Sequence, residues 1–173
     1  MAPPLQALTI RAAVDGDDWD LIGLVAACWA EYPGCVLDVH HETTWLLAPA
    51  TSFATHGGGL WVAEQGGRVA ASVALEPAGA GVELRALYVA RGARRQGLGE
   101  RLVALVEAEA LQRQARFVEL WSDTRFLDAH RLYERLGYVR GATRTIADLS
   151  HSVEWYFSKP LSATTANAVT ECP

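Results

Sequence analysis

The sequence predicts a mixed α/β fold, and three observations carry that prediction. Runs that alternate apolar and polar residues, as half-buried strands do, are interleaved with stretches whose apolar residues recur every three or four positions, as on amphipathic helices. Turn residues separate these stretches at short intervals. Residues 82–103 then read in succession as a strand, a basic glycine-rich turn and a helix. The resulting order is β-α-α-β-β-β-α-β-α-β-β.

Residues 1–6, with Pro3-Pro4, read as a lead-in. In residues 7–13, Leu8, Ile10 and Ala12 alternate with Thr9 and Arg11, which predicts the first strand. Residues 15–18 offer N-cap carboxylates to a helix over 19–32, which Pro33-Gly34 ends. A second helix is expected over 41–47, stopping before Pro49 because the residue before proline avoids the helical region. Residues 50–59 read as a loop. Strands over 60–64 and 68–76 are joined through Gln65-Gly66-Gly67, a hairpin signal. A turn over 77–81 leads into the strand at 82–89. Leu98, Leu102, Leu105 and Val106 place a helix from about 97 to 114. A short buried strand follows at 117–121, then a turn over 122–125 in which Asp123 is a candidate cap. The next helix runs to Leu136, with Gly137 at the left-handed position past its end. Strands over 138–144 and 153–158 complete the domain, 1–160. Residues 161–173 are small and polar, and are expected to be a disordered tail.

The turn Arg94-Arg95-Gln96-Gly97-Leu98-Gly99 is where chemistry is expected. The first turn of a helix has N–H groups without intrahelical partners and carries the positive end of the macrodipole. Two glycines leave those N–H groups uncovered, and Arg94 and Arg95 add charge-assisted donors, so a phosphate or pyrophosphate is the fitting guest. It is not a P-loop, because Glu100 and Arg101 follow Gly99 where Lys and Ser/Thr are needed. Nor is it a dinucleotide fingerprint, because Leu102 holds the place of the third small residue.

Arg94, Gly97 and Gly99 fill the Gln/Arg-x-x-Gly-x-Gly/Ala pattern of the acyl-CoA loop in the GNAT superfamily of N-acetyltransferases, which this chain resembles. A second segment, Ala129-His130-Arg131-Leu132-Tyr133-Glu134-Arg135-Leu136-Gly137-Tyr138, resembles the family's Ala-x-x-x-Tyr-Glu-x-x-Gly-Phe, with Tyr138 in place of Phe. Phe126 stands where many relatives have Asn, which removes one side-chain contact to pantetheine. The resemblance spans residues 8–159. It implies a mainly antiparallel central sheet of six to seven strands flanked by about four helices, with acetyl-CoA as co-substrate. Residues 94–100 (Arg94, Arg95, Gln96, Gly97, Leu98, Gly99 and Glu100) would cradle its pyrophosphate. The resemblance also implies that the strand end at Leu87, Tyr88 and Val89 bulges and splays from the fifth strand, so that its unpaired backbone groups would meet the pantetheine and the acyl oxygen.

The same resemblance makes Tyr133 the general acid. A phenol of pKa about 10 stays protonated at neutral pH and can protonate a departing thiolate of pKa about 8.5. The other reading of Tyr133 is a core tyrosine with a satisfied hydroxyl. An alkylammonium acceptor must lose a proton before it attacks, and Glu83 is the candidate base, with a water chain as the alternative. By period two Glu83 and Val89 are expected on one strand face, with Arg85 beside Glu83 and lowering its pKa. No cysteine falls within the two motifs, so the amine would attack directly.

The resemblance implies a primary amine as the acceptor. A small molecule is the first choice, a peptide or protein N-terminus the second, and a non-catalytic acyl-CoA sensor the reading from another class. Trp29, Glu31, Tyr32, His40, His41, Trp45 and Arg125 are the candidate pocket residues. His40-His41 lacks spaced partners, so no metal is expected. A net charge of -5 argues against nucleic acid, and the three cysteines, Cys28, Cys35 and Cys172, form no framework. The longest apolar run, 21–30, is too short to span a bilayer and the first ten residues lack a basic n-region, so a cytoplasmic protein is expected. A homodimer is the prior for its assembly.

Overall fold

The computed structural model describes residues 8–162. The lead-in, and the expected tail from residue 163 onward, lie outside them. Seven strands form one sheet: β1 (Leu8–Ala12), β2 (Gly59–Gln65), β3 (Arg68–Ala78), β4 (Gly81–Val89), β5 (Phe117–Asp123), β6 (Val139–Thr145) and β7 (Val153–Pro160). Their spatial order is β1-β2-β3-β4-β5-β7-β6. Every pairing is antiparallel except that of β4 with β5. Those two are parallel because a helix, α3 (Leu98–Gln112), carries the chain from the end of one to the start of the other.

Helices pack on both faces. Leu98, Leu102, Val103, Val106 and Ala110 of α3 recur at helical spacing and are all buried against Val82, Leu84, Val118, Leu120 and Phe157 of the sheet. The helix α4 (Leu127–Arg135) adds Tyr133 to the same core. On the opposite face α1 (Asp18–Trp29) and α2 (Pro49–Thr55) bury Leu21, Leu24, Val25 and Phe53 against Leu60, Val62 and Ala74. Each such side chain contributes about 1.5–3 kcal/mol of apolar burial.

The structure corrects three expectations. Residues 41–47 hold only a 3₁₀ turn at Thr44–Leu47, and the second helix begins at Pro49, inside the stretch read as a loop. Proline is favoured in the first turn of a helix, where its missing N–H has no intrahelical partner. The acidic run before α1 makes no side-chain cap: Asp17 instead takes Arg11 Nη1 at 2.9 Å, and Asp15 takes the Thr51 hydroxyl at 2.6 Å. Asp123 does not cap α4 either. Its Oδ1 accepts the Arg125 N–H at 2.9 Å in a local turn, and α4 starts four residues after Asp123.

The pairing of β4 with β5 stops early. Only Val82–Val118 and Glu83–Glu119 are in register. Beyond them β4 bulges: two residues, Ala86 and Leu87, stand opposite the single Val73 of β3, and Ala86 takes a φ of +49°. The buried Ser72 hydroxyl donates to the Ala86 carbonyl at 2.8 Å and closes the bulge. The two strands part from that point, and a cleft opens between their ends.

Candidate active site

The cleft leads into a cavity of about 570 Å³. It reaches from the glycine-rich turn on one side of the sheet to the end of α1 on the other. Leu87, Tyr88, Val89, Arg94, Arg95, Gly97, Leu98, Gly99, Glu100 and Tyr133 all line it. The structure therefore brings ten of the twelve sequence-chosen site residues to one place. Glu83 and Gln96 do not line it. Gln96 is turned back, its Nε2 donating to the Gly92 carbonyl at 3.1 Å.

The strand end supplies an open donor. Ala90 N–H donates to the Ala70 carbonyl at 2.8 Å, which makes Ala90 and Ala70 a hydrogen-bonded antiparallel pair. The neighbouring Val89–Ala71 pair is then the non-bonded kind, and the Val89 N–H points away from β3 toward the gap left by β5. The Val89 carbonyl points the same way but is already taken: Arg94 Nε donates to it at 2.9 Å.

The helix start supplies three more donors. Gly97 is the N-cap of α3, with φ +73° and no side-chain cap, and the first helical bond runs from Arg101 N–H to the Gly97 carbonyl at 3.0 Å. The N–H groups of Leu98, Gly99 and Glu100 thus have no protein partner among the described residues. Arg95 at φ +59° and Gly97 turn the backbone so that successive N–H groups face inward, the geometry of an anion nest. The two glycines have different reasons. A Cβ on Gly97 would meet open space but strained backbone, whereas a Cβ on Gly99 would stand 3.1 Å from Leu132 Cδ2 of α4.

The two arginines also divide. Arg94 grips Glu31 with both terminal nitrogens, at 2.6 and 2.8 Å, and its charge is matched inside the protein. Arg95 is exposed and has no protein partner among the described residues. Of the pair expected to meet phosphate, the second is free to do so.

Tyr133 is buried, 4% exposed, with its ring against Phe157 and Tyr138. Its hydroxyl makes no hydrogen bond among the described residues and is not sealed off, because it opens on the cavity. Burial pushes the phenol well above its ordinary pKa, and the nearby Tyr88 hydroxyl adds to the shift. Tyr88 accepts the Trp29 indole N–H at 3.2 Å, and burial pushes its pKa up to about 12. Both phenols are proton donors at neutral pH.

The β4 bulge overturns the expected face of Glu83. Before it, Glu83 pairs with Glu76; after it, Val89 pairs with Ala71, five places away on β3. An odd separation means opposite faces, so Glu83 shares its face with Arg85 and Tyr88 and not with Val89. Arg85 does not decide its pKa. The guanidinium donates to Glu76 at 2.6 Å and stands 4.0 Å from Glu83. The loss of water around the Glu83 carboxyl, 29% exposed, outweighs Arg85, and the net shift is upward.

On the α1 side of the cavity the sequence missed most of the wall. Trp29 and Tyr32 line the cavity as expected; Glu31, His40, His41, Trp45 and Arg125 do not. Trp45 packs edge-on to Phe53 in the core, and His41 binds Asp38. Trp121, Phe126, Cys28, Cys35, Asp148 and Glu154 line the cavity instead. The alternation of β5 carried the one available signal, since it sets Trp121 and Asp123 on the face away from Leu120. No group of three or more His, Cys, Asp or Glu among the described residues is placed to hold a metal ion. No helix among them is long and apolar enough to cross a membrane.

Comparison with known proteins meets this geometry. The family model described as "Acetyltransferase (GNAT) family" matches residues 21–138. No curated protein matches the chain by sequence. An acetyltransferase of the GNAT family from Staphylococcus aureus Mu50 superposes with a TM-score of 0.78 at 16% identity, covering 90% of this chain and 100% of that one. yncA from Salmonella typhimurium, solved with its cofactor acetyl-CoA, gives 0.68 at 17% identity over 95% and 99%. A ribosomal-protein-alanine N-acetyltransferase from Brucella melitensis gives 0.66 at 22% over 88% and 99%. At these identities the likeness is one of fold.

Proposed function

Because the chain belongs to the acetyltransferase (GNAT) family, we propose that it moves an acetyl group from acetyl-CoA to a primary amine of a small molecule by direct attack. One observation carries the reading. The open first turn of α3, the unpaired Val89 N–H and the Tyr133 hydroxyl all face one cavity.

The residues take these parts. The N–H groups of Leu98, Gly99 and Glu100, with Arg95, receive the diphosphate. The Val89 N–H donates to the thioester oxygen, and a donor aimed at developing negative charge is worth roughly 10²–10³ in rate. The amine nitrogen bonds to the carbonyl carbon, the C–S bond breaks, and Tyr133 gives its proton to the sulfur. Glu83 takes the amine proton through intervening water, because its carboxyl does not itself reach the cavity. Its raised pKa makes it a stronger base than an ordinary carboxylate. Cys28 and Cys35 line the cavity, but burial raises both thiols and keeps them in the poorly nucleophilic protonated form, which favours direct attack over an acyl-enzyme.

The likeness to the Brucella enzyme gives a peptide N-terminus as the second reading, though on fold alone. Acetyl-CoA consumption against a panel of amines and short peptides separates the two. Binding of acetyl-CoA with no turnover on any acceptor would instead identify a sensor. In the active case Tyr133→Phe lowers kcat by about 10²-fold or more and leaves acetyl-CoA affinity unchanged. Full turnover in that variant removes Tyr133 from the mechanism.

A further inference from the structure

The half of the cavity nearest α1 is walled by aromatic side chains. Trp29, Tyr32, Tyr88, Trp121 and Phe126 line it, and each keeps part of its surface uncovered. Tyr32 and Phe126 lie ring to ring at 4.7 Å, which fixes one wall. Trp121 is fixed from the far side, with the Arg144 guanidinium 4.0 Å from its ring centre and Tyr156 at 5.1 Å.

Most of the charges beside these rings are paired within the protein. Asp123 takes Arg125 at 2.8 and 2.6 Å. Glu154 takes Arg144 at 2.7 Å, and Arg85 gives its charge to Glu76 at 2.6 Å. Asp148 is the exception: it makes no ion pair among the described residues, accepts the Ser152 N–H at 2.8 Å and only shares the field of Arg125. A guest with several charges would have to break such pairs to make its own, and each break strands a half-buried ion. A flat apolar guest breaks none of them and takes aromatic surface out of water.

We infer that the acceptor is a primary amine on a flat apolar body, of the arylalkylamine class. Its ring lies against Trp121 and the Tyr32–Phe126 wall, and its nitrogen points to the inner end where Tyr88 and Tyr133 meet. Selection rests on ring burial, so polyamines, free amino acids and amino sugars are poor substrates. This inference rests on the acetyl-transfer reading above.

The test is kcat/KM with acetyl-CoA for 2-phenylethylamine and tryptamine against spermidine, lysine, glucosamine and an alanyl peptide. The arylalkylamines should lead by about 100-fold, the scale on which one apolar pocket discriminates. Trp121→Ala and Tyr32→Ala, on different elements so that a folding defect in one does not hide the result, should each raise the KM for 2-phenylethylamine about tenfold while the KM for acetyl-CoA stays within about twofold. Turnover of spermidine, lysine, glucosamine or the peptide at or above that of the arylalkylamines overturns the inference and leaves acetyl transfer standing. So does an unchanged amine KM in both variants. No turnover of any amine, with acetyl-CoA shown by calorimetry to bind, overturns both.

Discussion

Arg94 Nε donates to the Val89 carbonyl at 2.9 Å while the same guanidinium holds Glu31 at 2.6 Å. The motif arginine thus ties the end of α1 to the strand that presents the Val89 N–H. In the proposed mechanism it would aim a backbone donor and leave the phosphate to others. An exposed ion pair is worth about 0–1 kcal/mol, so the role is alignment more than stability. Arg94→Ala is expected to lower kcat by about tenfold with a smaller change in acetyl-CoA affinity, since a misplaced donor loses transition-state contacts first. Arg95→Ala should do the reverse, weakening acetyl-CoA binding in a salt-dependent way with kcat nearly unchanged. Titration calorimetry beside steady-state kinetics separates the two.

The glycines give a second contrast. Gly97→Ala places a side chain at φ +73° with no steric neighbour, so the cost is backbone strain of about 1–2 kcal/mol. Gly99→Ala keeps ordinary helical backbone but drives a methyl to 3.1 Å from Leu132, prising α3 from α4. Thermal unfolding should drop in both. Only Gly99→Ala should be rescued by a smaller neighbour, Leu132→Val, and failure of that rescue would refute the packing account.

As the proposed base, Glu83 would set a pH dependence. Its carboxyl must be ionised to accept the amine proton, and burial has raised its pKa. The acid limb of kcat/KM should therefore fall at a pH above the ordinary glutamate value of about 4.3. Glu83→Gln should abolish that limb and lower the plateau by about 10²-fold. Stability moves oppositely. A folded-state pKa above the unfolded one stabilises the fold fully below the unfolded value, and that contribution is lost as pH rises through the raised value. An unchanged acid limb in Glu83→Gln would hand the base role to water alone.

The sequence made some of this legible and hid the rest for physical reasons. The α3 turn was readable because its parts are contiguous: strand, basic turn, glycines and helix follow one another, and backbone donors depend on local geometry. Only the part of the other wall near α1 was, through Trp29 and Tyr32; Trp121 on β5 and Phe126 ahead of α4 join it through the packing of distant segments, which no local pattern records. The face of Glu83 was misread for a narrower reason. Period two holds only in an unbroken ladder; the resemblance implies a bulge near this strand end, but nothing in Arg85-Ala86-Leu87 says that alanine will take a left-handed φ and so where the faces switch. Pro49 was misread because proline both stops and starts helices, and the tie between Asp15 and Thr51 that favours the start is a tertiary contact.

His130 gives the last prediction. It sits on α4, one turn before Tyr133, at 1% exposure against Phe157, and neither ring nitrogen has a hydrogen-bond partner among the described residues. A buried ring in that state stays neutral. Burial lowers its pKa, and the Arg140 guanidinium from β6 lowers it further. Glu134 on α4 and Asp123 on β5 act the other way but do not outweigh them. With the folded pKa below the unfolded one, the unfolded chain binds the proton more readily. Stability is then complete above the unfolded histidine value of about 6.5 and is lost as pH falls through it toward the depressed folded value. Because His130 and Tyr133 share a helix, charging this ring should loosen Tyr133 before the whole fold yields. His130→Leu, similar in bulk and without the titration, should flatten the unfolding midpoint between pH 7 and 5, the interval on the order of the reference histidine titration. Equal acid sensitivity in wild type and His130→Leu would exclude this residue as the cause.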